Sequence, residues 1–219
     1  MKTIEQSTYD KAYFEYGVQS GKSGYQNYSW MPELTIRMAH YLCKDLHIDR
    51  TAKVLDYGCA KGYLVKALRL LDINAYGVDI SEYAIRKSDS DIEEFLTLIA
   101  DTDDQAIYKN YSHVIAKDVF EHMNESQIRC VLENWAAQGS KVFFAVPIAS
   151  VDDGNFVIPQ MHNDITHITI KSKEWWEDLV IQSGYDLQFS NYRMHGLKDN
   201  WFTNYPKGNA FIYAIPRKK

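Results

Sequence analysis

The sequence predicts an α/β protein: a mostly parallel seven-stranded sheet with an antiparallel last strand and helices on both faces. Three observations carry this. From Lys53 onward, short apolar runs alternate with stretches of helical periodicity, as in strands joined by crossover helices. The last two apolar runs, residues 185–194 and 209–216, alternate or are rich in rings and follow each other without a helical stretch, so they pair antiparallel. Residues 54–65, "VLDYGCAKGYLV", set an acid and two glycines between a strand-like and a helix-like run. In an open α/β sheet such a turn, beyond the carboxyl end of the first strand, is where anions and nucleotides are held.

The elements follow in order. Residues 1–32 are polar and studded with rings (Tyr9, Tyr13, Phe14, Tyr16, Tyr25, Tyr28 and Trp30) broken by Gly17, Gly21 and Gly24, which predicts a loop-rich aromatic cap. Pro32 suits a first helical turn, and Leu34, Met38, Leu42 and Leu46 predict the apolar face of a helix over 32–47. Strands are expected at 53–57, 75–79, 95–100, 112–118 and 141–147, with a helix at 63–72 and a second opening after Ser81, whose oxygen can cap it. Asn124 and Gln127 form a capping box for a helix over 125–138, which Gly139 ends. A last long helix is expected at 173–183, closed by Gly184. Residues 147–171 and 194–208 read as loops on the side where an acceptor enters.

At 219 residues and 46% apolar content the chain reads as one domain, 1–219, without repeats or an interdomain linker. A net charge of −5 argues against a nucleic-acid partner. No apolar run approaches the roughly 20 residues of a membrane span, and no leader pattern is visible, so a cytoplasmic protein without a membrane partner is expected. Cys43, Cys59 and Cys130 form no C-x-x-C pair and are expected as free thiols. Oligomeric state is not legible.

Within the turn, Gly58 can take backbone angles closed to other residues, and Gly62 lets helix, strand and ligand approach closely. Asp79 ends the second strand, where a carboxylate can accept from two vicinal ribose hydroxyls. The spacing is not the G-x-G-x-x-G of dinucleotide folds.

"VLDYGCAKG", "GVDIS", "IAD" and "IAKDVFEHM", in this order and spacing, resemble the class I S-adenosylmethionine-dependent methyltransferases over residues 33–146. The resemblance implies their Rossmann-like fold and S-adenosylmethionine as cofactor. It also implies that Asp56 and the Gly58–Gly62 turn, Cys59 included, meet the methionine part, that Asp79 with Ile80 meets the ribose, that Asp101 meets the adenine amine and that Lys117 meets the adenine's backbone side. Ala60 departs from the pattern, since many members carry a glycine there. The rings of the cap, Tyr25 and Tyr28 among them, are expected to fold over the cofactor, excluding water and attracting a sulfonium.

Two other motifs are weaker. "GVQSGKS" is one residue short of a Walker loop and lacks a preceding strand. "HNDITH" offers His162, Asp164 and His167 but no third well-placed imidazole or thiolate, so no metal is expected. Methyl transfer to oxygen needs a base. "ITHITIKSKEWW" resembles a stretch found in methyltransferases that act on sugars, which makes His167 the first candidate. His122, with Glu121 or Asp118 to orient it, is the second. "KDVFEH" replaces the N-P-P-Y type motif of DNA adenine methylation. The expected acceptor is a small molecule, a hydroxyl of a sugar or sugar-containing metabolite; the rivals are N- or C-methylation and a non-catalytic cofactor-binding protein.

Overall fold

The computed structural model describes residues 3–151 and 154–218, so two residues of the expected cap and two of the expected 147–171 loop lie outside the described residues. One sheet holds seven strands, β1 (Lys53–Tyr57), β2 (Asn74–Asp79), β3 (Leu96–Leu98), β4 (His113–Lys117), β5 (Lys141–Pro147), β6 (Tyr185–Asn191) and β7 (Asn209–Pro216), in the order β3-β2-β1-β4-β5-β7-β6. β1 to β5 pair in parallel, and β7 runs antiparallel to both β5 and β6. The chain builds outward from β1 to β3 and then returns to β4 on the other side of β1. The strand order therefore reverses between β1 and β4, the position where such sheets open a crevice for ligands.

The helices are α1 (Lys11–Glu15), α2 (Gly17–Ser20), α3 (Pro32–Asp45), α4 (Tyr63–Leu70), α5 (Glu82–Arg86), α6 (Glu125–Ala137), α7 (Lys173–Gln182) and α8 (Asp199–Asn204). Both faces of the sheet are covered, which explains why its central strands read as continuous apolar runs. Leu55, Val114 and Phe144 face one core with Trp135 of α6 and Trp176 of α7. Val54, Ile115 and Phe143, their neighbours in sequence, face the other with Leu42 of α3 and Leu68 of α4.

The expected caps form. Asn124 and Gln127 make a reciprocal capping box, and the Ser81 side chain accepts from the Ala84 amide. Gly139 and Gly184 take positive φ just past α6 and α7. The expected face of α3 is corrected: Thr35, Ala39 and Leu42 are buried, whereas Leu34 is 51% exposed. Spacings of four drift against a 3.6-residue turn, so a stripe anchored on Leu42 and Leu46 has left the core by Leu34. The expected 194–208 loop contains α8, and the cap contains the short helices α1 and α2. Among the described residues no helix is long and apolar enough to cross a membrane.

Candidate active site

The turn after β1 is shaped by three positive φ values: +78° at Gly58, +50° at Ala60 and +76° at Gly62. A Cβ at Gly58 would stand 2.4 Å from a Val119 methyl, and one at Gly62 would stand 2.6 Å from Leu96, so both are excluded by packing as well as by backbone angle. Ala60 bears a side chain in the left-handed region, where a glycine would be unstrained. Its amide donates to Asp79 Oδ2 at 2.7 Å, and the Ser81 amide donates to Oδ1 at 2.7 Å. Asp79 thus ties the ends of β1 and β2 together. Burial raises its pKa against these amides, which lower it.

A cavity opens beyond this turn. Its wall includes Gly58, Ala60, Asp79, Ile80, Ile99, Asp101, Val119, His122 and Met123, and Tyr9, Tyr13, Phe14 and Tyr25 of the cap close it. The cap is fastened by partly buried polar contacts. Lys61 Nζ donates to Glu15 Oε1 at 2.6 Å and to the Tyr28 carbonyl at 2.7 Å, and Ser81 Oγ donates to the Tyr9 carbonyl at 2.6 Å. Phe14 stacks on Tyr25 and Tyr83.

A second cavity lies on the other side of the cap, lined by Asp118, Glu121, Gln160, Asn163, Asp164, His167, Lys198 and Trp201 among others. Among the described residues, Tyr13, Tyr25, Asp118 and His122 belong to both walls. The His122 ring lies 4.8 Å from that of His167, centroid to centroid. Its Nδ1 is 2.7 Å from Thr166 Oγ1, and burial, with His167 adding to it, pushes its pKa down to about 4. His167 Nδ1 donates to the Met161 carbonyl at 2.6 Å, and burial lowers its pKa too.

Asp118, at φ +57°, pairs with Lys117 at 2.5 Å and with Lys198. Burial works to raise its pKa, but the two ammonium groups outweigh it and hold the carboxyl well below the usual range. Glu121 is 1% exposed, its Oε2 has no hydrogen-bond partner among the described residues, and burial beside Asp118 raises its pKa well above the ordinary value. Glu121, His122 and His167 offer ligand atoms within 4.8 Å of one another. That is looser than the roughly 4.4 Å that two bonds of about 2.2 Å to one ion can span. His162, of the "HNDITH" stretch in which no metal is expected, accepts the Phe156 amide on Nε2 at 3.2 Å.

A family model described as a methyltransferase domain matches residues 28–189. The chain belongs to this methyltransferase family. S-adenosylmethionine is the methyl donor of the enzyme, and the first cavity suits it: carboxylates for vicinal hydroxyls and an amine, apolar Ile80, Ile99 and Met123 for a purine, and tyrosine rings for a sulfonium. The methyltransferase resembles in structure an S-adenosylmethionine-dependent methyltransferase from Archaeoglobus fulgidus (TM-score 0.62, 15% identity, 84% of this chain and 94% of that one). It also resembles magnesium protoporphyrin IX methyltransferase from Synechocystis PCC 6803 with bound S-adenosylmethionine (0.55, 13%, 96% and 90%). A third likeness is to the cyclase SpnF (0.67, 12%, 100% and 99%). These likenesses are of fold, and a cyclase among them shows that the fold alone does not choose a reaction. No curated protein matches by sequence.

Of the residues singled out in the sequence of the methyltransferase, Gly58, Asp79, Ile80, Asp101, Tyr25 and His122 line the first cavity, and His167 lines the second. Asp56, Cys59, Gly62, Lys117 and Tyr28 line neither. Asp56 is buried at the end of β1, and burial, opposed by Lys117 and reinforced by Asp79, raises its pKa to about 7. Cys59 packs in the core against Gly77, whose Cβ would stand 2.7 Å from its sulfur. Neither Glu121 nor Asp118 orients His122; Thr166 bonds it instead, because Asp118 is engaged by two lysines. Tyr9, Tyr13, Lys61, Thr166 and Lys198 were missed as parts of the site. Only Tyr9 and Tyr13 carried a signal, the ring density of the cap.

Proposed function

We propose that the enzyme methylates a hydroxyl of a small, polar acceptor, a sugar or sugar-containing metabolite held in the second cavity, with His122 as the base. The observation that carries this reading is that His122 stands in the wall common to both cavities, where a methyl group must cross from donor to acceptor. His167, the candidate that sequence ranks first, touches only the second cavity and becomes a neighbour of the base. Carboxylate, amide and ammonium groups beside the Trp201 ring in the second cavity support a polyol, which offers hydroxyls to both donors and acceptors and an apolar face to a ring.

When bound, S-adenosylmethionine supplies an electrophilic methyl on a sulfonium, which leaves as a neutral thioether. The Asp79 oxygens each keep a lone pair beyond the one used by Ala60 or Ser81, so the carboxylate can also accept from ribose hydroxyls. Asp101 stands on the same wall for the base amine. The cap rings exclude water. His122 Nε2 would take the proton of the acceptor hydroxyl as that oxygen is methylated.

Transfer of labelled methyl from S-adenosylmethionine to a panel of sugars, nucleotide sugars, amines and carbon acids tests the reading. The expected result is label on a hydroxyl, with His122→Ala lowering kcat roughly 100- to 10,000-fold and leaving affinity for S-adenosylhomocysteine near wild type. His167→Ala carrying that loss while His122→Ala does not would return the base to His167. Label on nitrogen or carbon alone would overturn the acceptor class.

A further inference from the structure

Thr166 and Asp164 touch no reacting atom in the proposed transfer, yet Thr166 is fully buried against His122, and Asp164, 9% exposed, holds Thr166 from the wall of the second cavity. Their hydrogen bonds run one way. Asp164 Oδ1 accepts the Thr166 amide at 2.9 Å and the Thr166 hydroxyl as well, while Oδ2 accepts the Tyr13 hydroxyl at 2.7 Å. A threonine hydroxyl has one proton to give. Since Asp164 takes it, Thr166 Oγ1 faces His122 Nδ1, 2.7 Å away, as an acceptor. Tyr13 also lies 3.5 Å from Thr166 Oγ1, but its proton is committed to the closer carboxylate. The imidazole must then carry its proton on Nδ1, leaving the lone pair on Nε2.

We infer that Thr166 and Asp164 are positioning residues that hold His122 in the Nδ1–H tautomer through a directed relay, completed by Tyr13 of the cap. The tautomer leaves Nε2, which has no hydrogen-bond partner among the described residues, as the basic atom at the junction of the two cavities. A neutral ring is required for there to be a tautomer to choose, and burial beside His167 keeps His122 neutral near pH 7. Because the relay ends on α1, alignment of the ring depends on the cap being packed in place: Tyr13 is 3% exposed and ties Asp164 to a segment 151 residues earlier in the chain. The catalytic meaning of the relay rests on His122 as the base, whereas the tautomer itself does not.

Long-range proton–nitrogen NMR of the full chain labelled on its seven histidines reads the tautomer without any acceptor, the His122 ring being assigned by its disappearance in His122→Gln. The wild type should show a protonated Nδ1 and an unprotonated Nε2 at pH 7. Thr166→Val removes the acceptor at nearly constant shape and should move the proton to Nε2 or produce a mixture, while Thr166→Ser should restore Nδ1–H. If Thr166→Val does not fold, Asp164→Asn, which leaves the hydroxyl free to turn toward the ring, should weaken the Nδ1–H preference in the same way. A wild-type Nε2–H ring, or an unchanged Nδ1–H ring in a folded Thr166→Val protein, would overturn the inference. Once an acceptor is in hand, Thr166→Val should lower kcat by up to the roughly 100- to 10,000-fold that a general base contributes, with KM little changed. An Nδ1–H ring in a His122→Ala-tolerant enzyme would instead leave the relay standing and remove the base assignment.

Discussion

Asp79 accepts the backbone amide of Ala60 at 2.7 Å, so the acid expected at the ribose is also the clasp of the turn that faces the cofactor. Removing it therefore acts twice. Asp79→Ala should weaken binding of S-adenosylhomocysteine by about 1.5 to 3 kcal/mol, the usual worth of a hydrogen bond to a charged group, and should also lower the melting temperature of the free protein. Calorimetric titration and thermal unfolding measure the two effects. Unchanged affinity in the folded variant would remove Asp79 from the ribose site.

Ala60 at φ +50° predicts a gain from a smaller residue. A left-handed non-glycine residue costs about 1 to 2 kcal/mol, and the added freedom of glycine in the unfolded chain returns roughly 0.4 to 1 kcal/mol of this. Ala60→Gly should therefore be neutral to about 1.6 kcal/mol more stable in urea unfolding. A clear loss of stability would mean that the alanine methyl packs more usefully than the backbone strain costs.

S-adenosylmethionine at about 100 times its dissociation constant should stabilise the native state by roughly 2.7 kcal/mol. For a chain of this size that corresponds to a rise in melting temperature of about 5 to 10 °C. NAD should produce little shift, because the turn lacks the dinucleotide glycine pattern. A shift with NAD and none with S-adenosylmethionine or its demethylated product would contradict the cofactor assignment.

His113, at the opposite end of β4 from the site, is buried, and burial with Lys141 nearby pushes its pKa down to about 4 from an ordinary 6.5. Between those values the unfolded chain binds the proton more readily, so this group's contribution to stability is present above pH 6.5 and declines as pH falls toward 4. Asp56 and Glu121, whose pKa values are raised, act with the opposite sign, and the total profile mixes both. The difference between wild type and His113→Gln isolates the histidine: the variant should lose less stability between pH 7 and 4.5. Parallel pH profiles in urea unfolding would show that His113 is not held neutral.

Much of this architecture was readable from residue order. β1, β5 and β7 have the bounds that their apolar runs predict, because strands buried on both faces have sharp polar limits. The Asn124 box and the glycines after α6 and α7 are local chemistry that tertiary packing did not override. Within the site, Asp79 was legible because it ends β2 at the crevice, and Asp101 because it follows β3 by three residues on the same wall. Thr166 and Lys198 were not, since a threonine in an irregular stretch and a lysine before a short helix acquire meaning only from partners 44 and 80 positions away in the chain, His122 and Asp118. Asp56 and Lys117 carry motif signatures yet sit behind the cavity wall, where a sequence pattern cannot tell lining from support.

The fastening of the cap bears on the order in which the chain acquires its structure. Glu15, Tyr9 and Tyr13 meet partners 46, 72 and 151 residues downstream, in Lys61, Ser81 and Asp164. Contacts of such long range are closed late, because the loops they complete must lose their freedom before the contacts reward it. The cap is therefore expected to dock on a sheet that is already assembled, and by the same logic to be the first part to come away under mild destabilisation. Amide hydrogen exchange should be fastest across residues 3–30 and slowest in β1, β4 and β5. A covering that docks last and leaves first would give the cofactor a way in and its spent form a way out without disturbing the strands beneath.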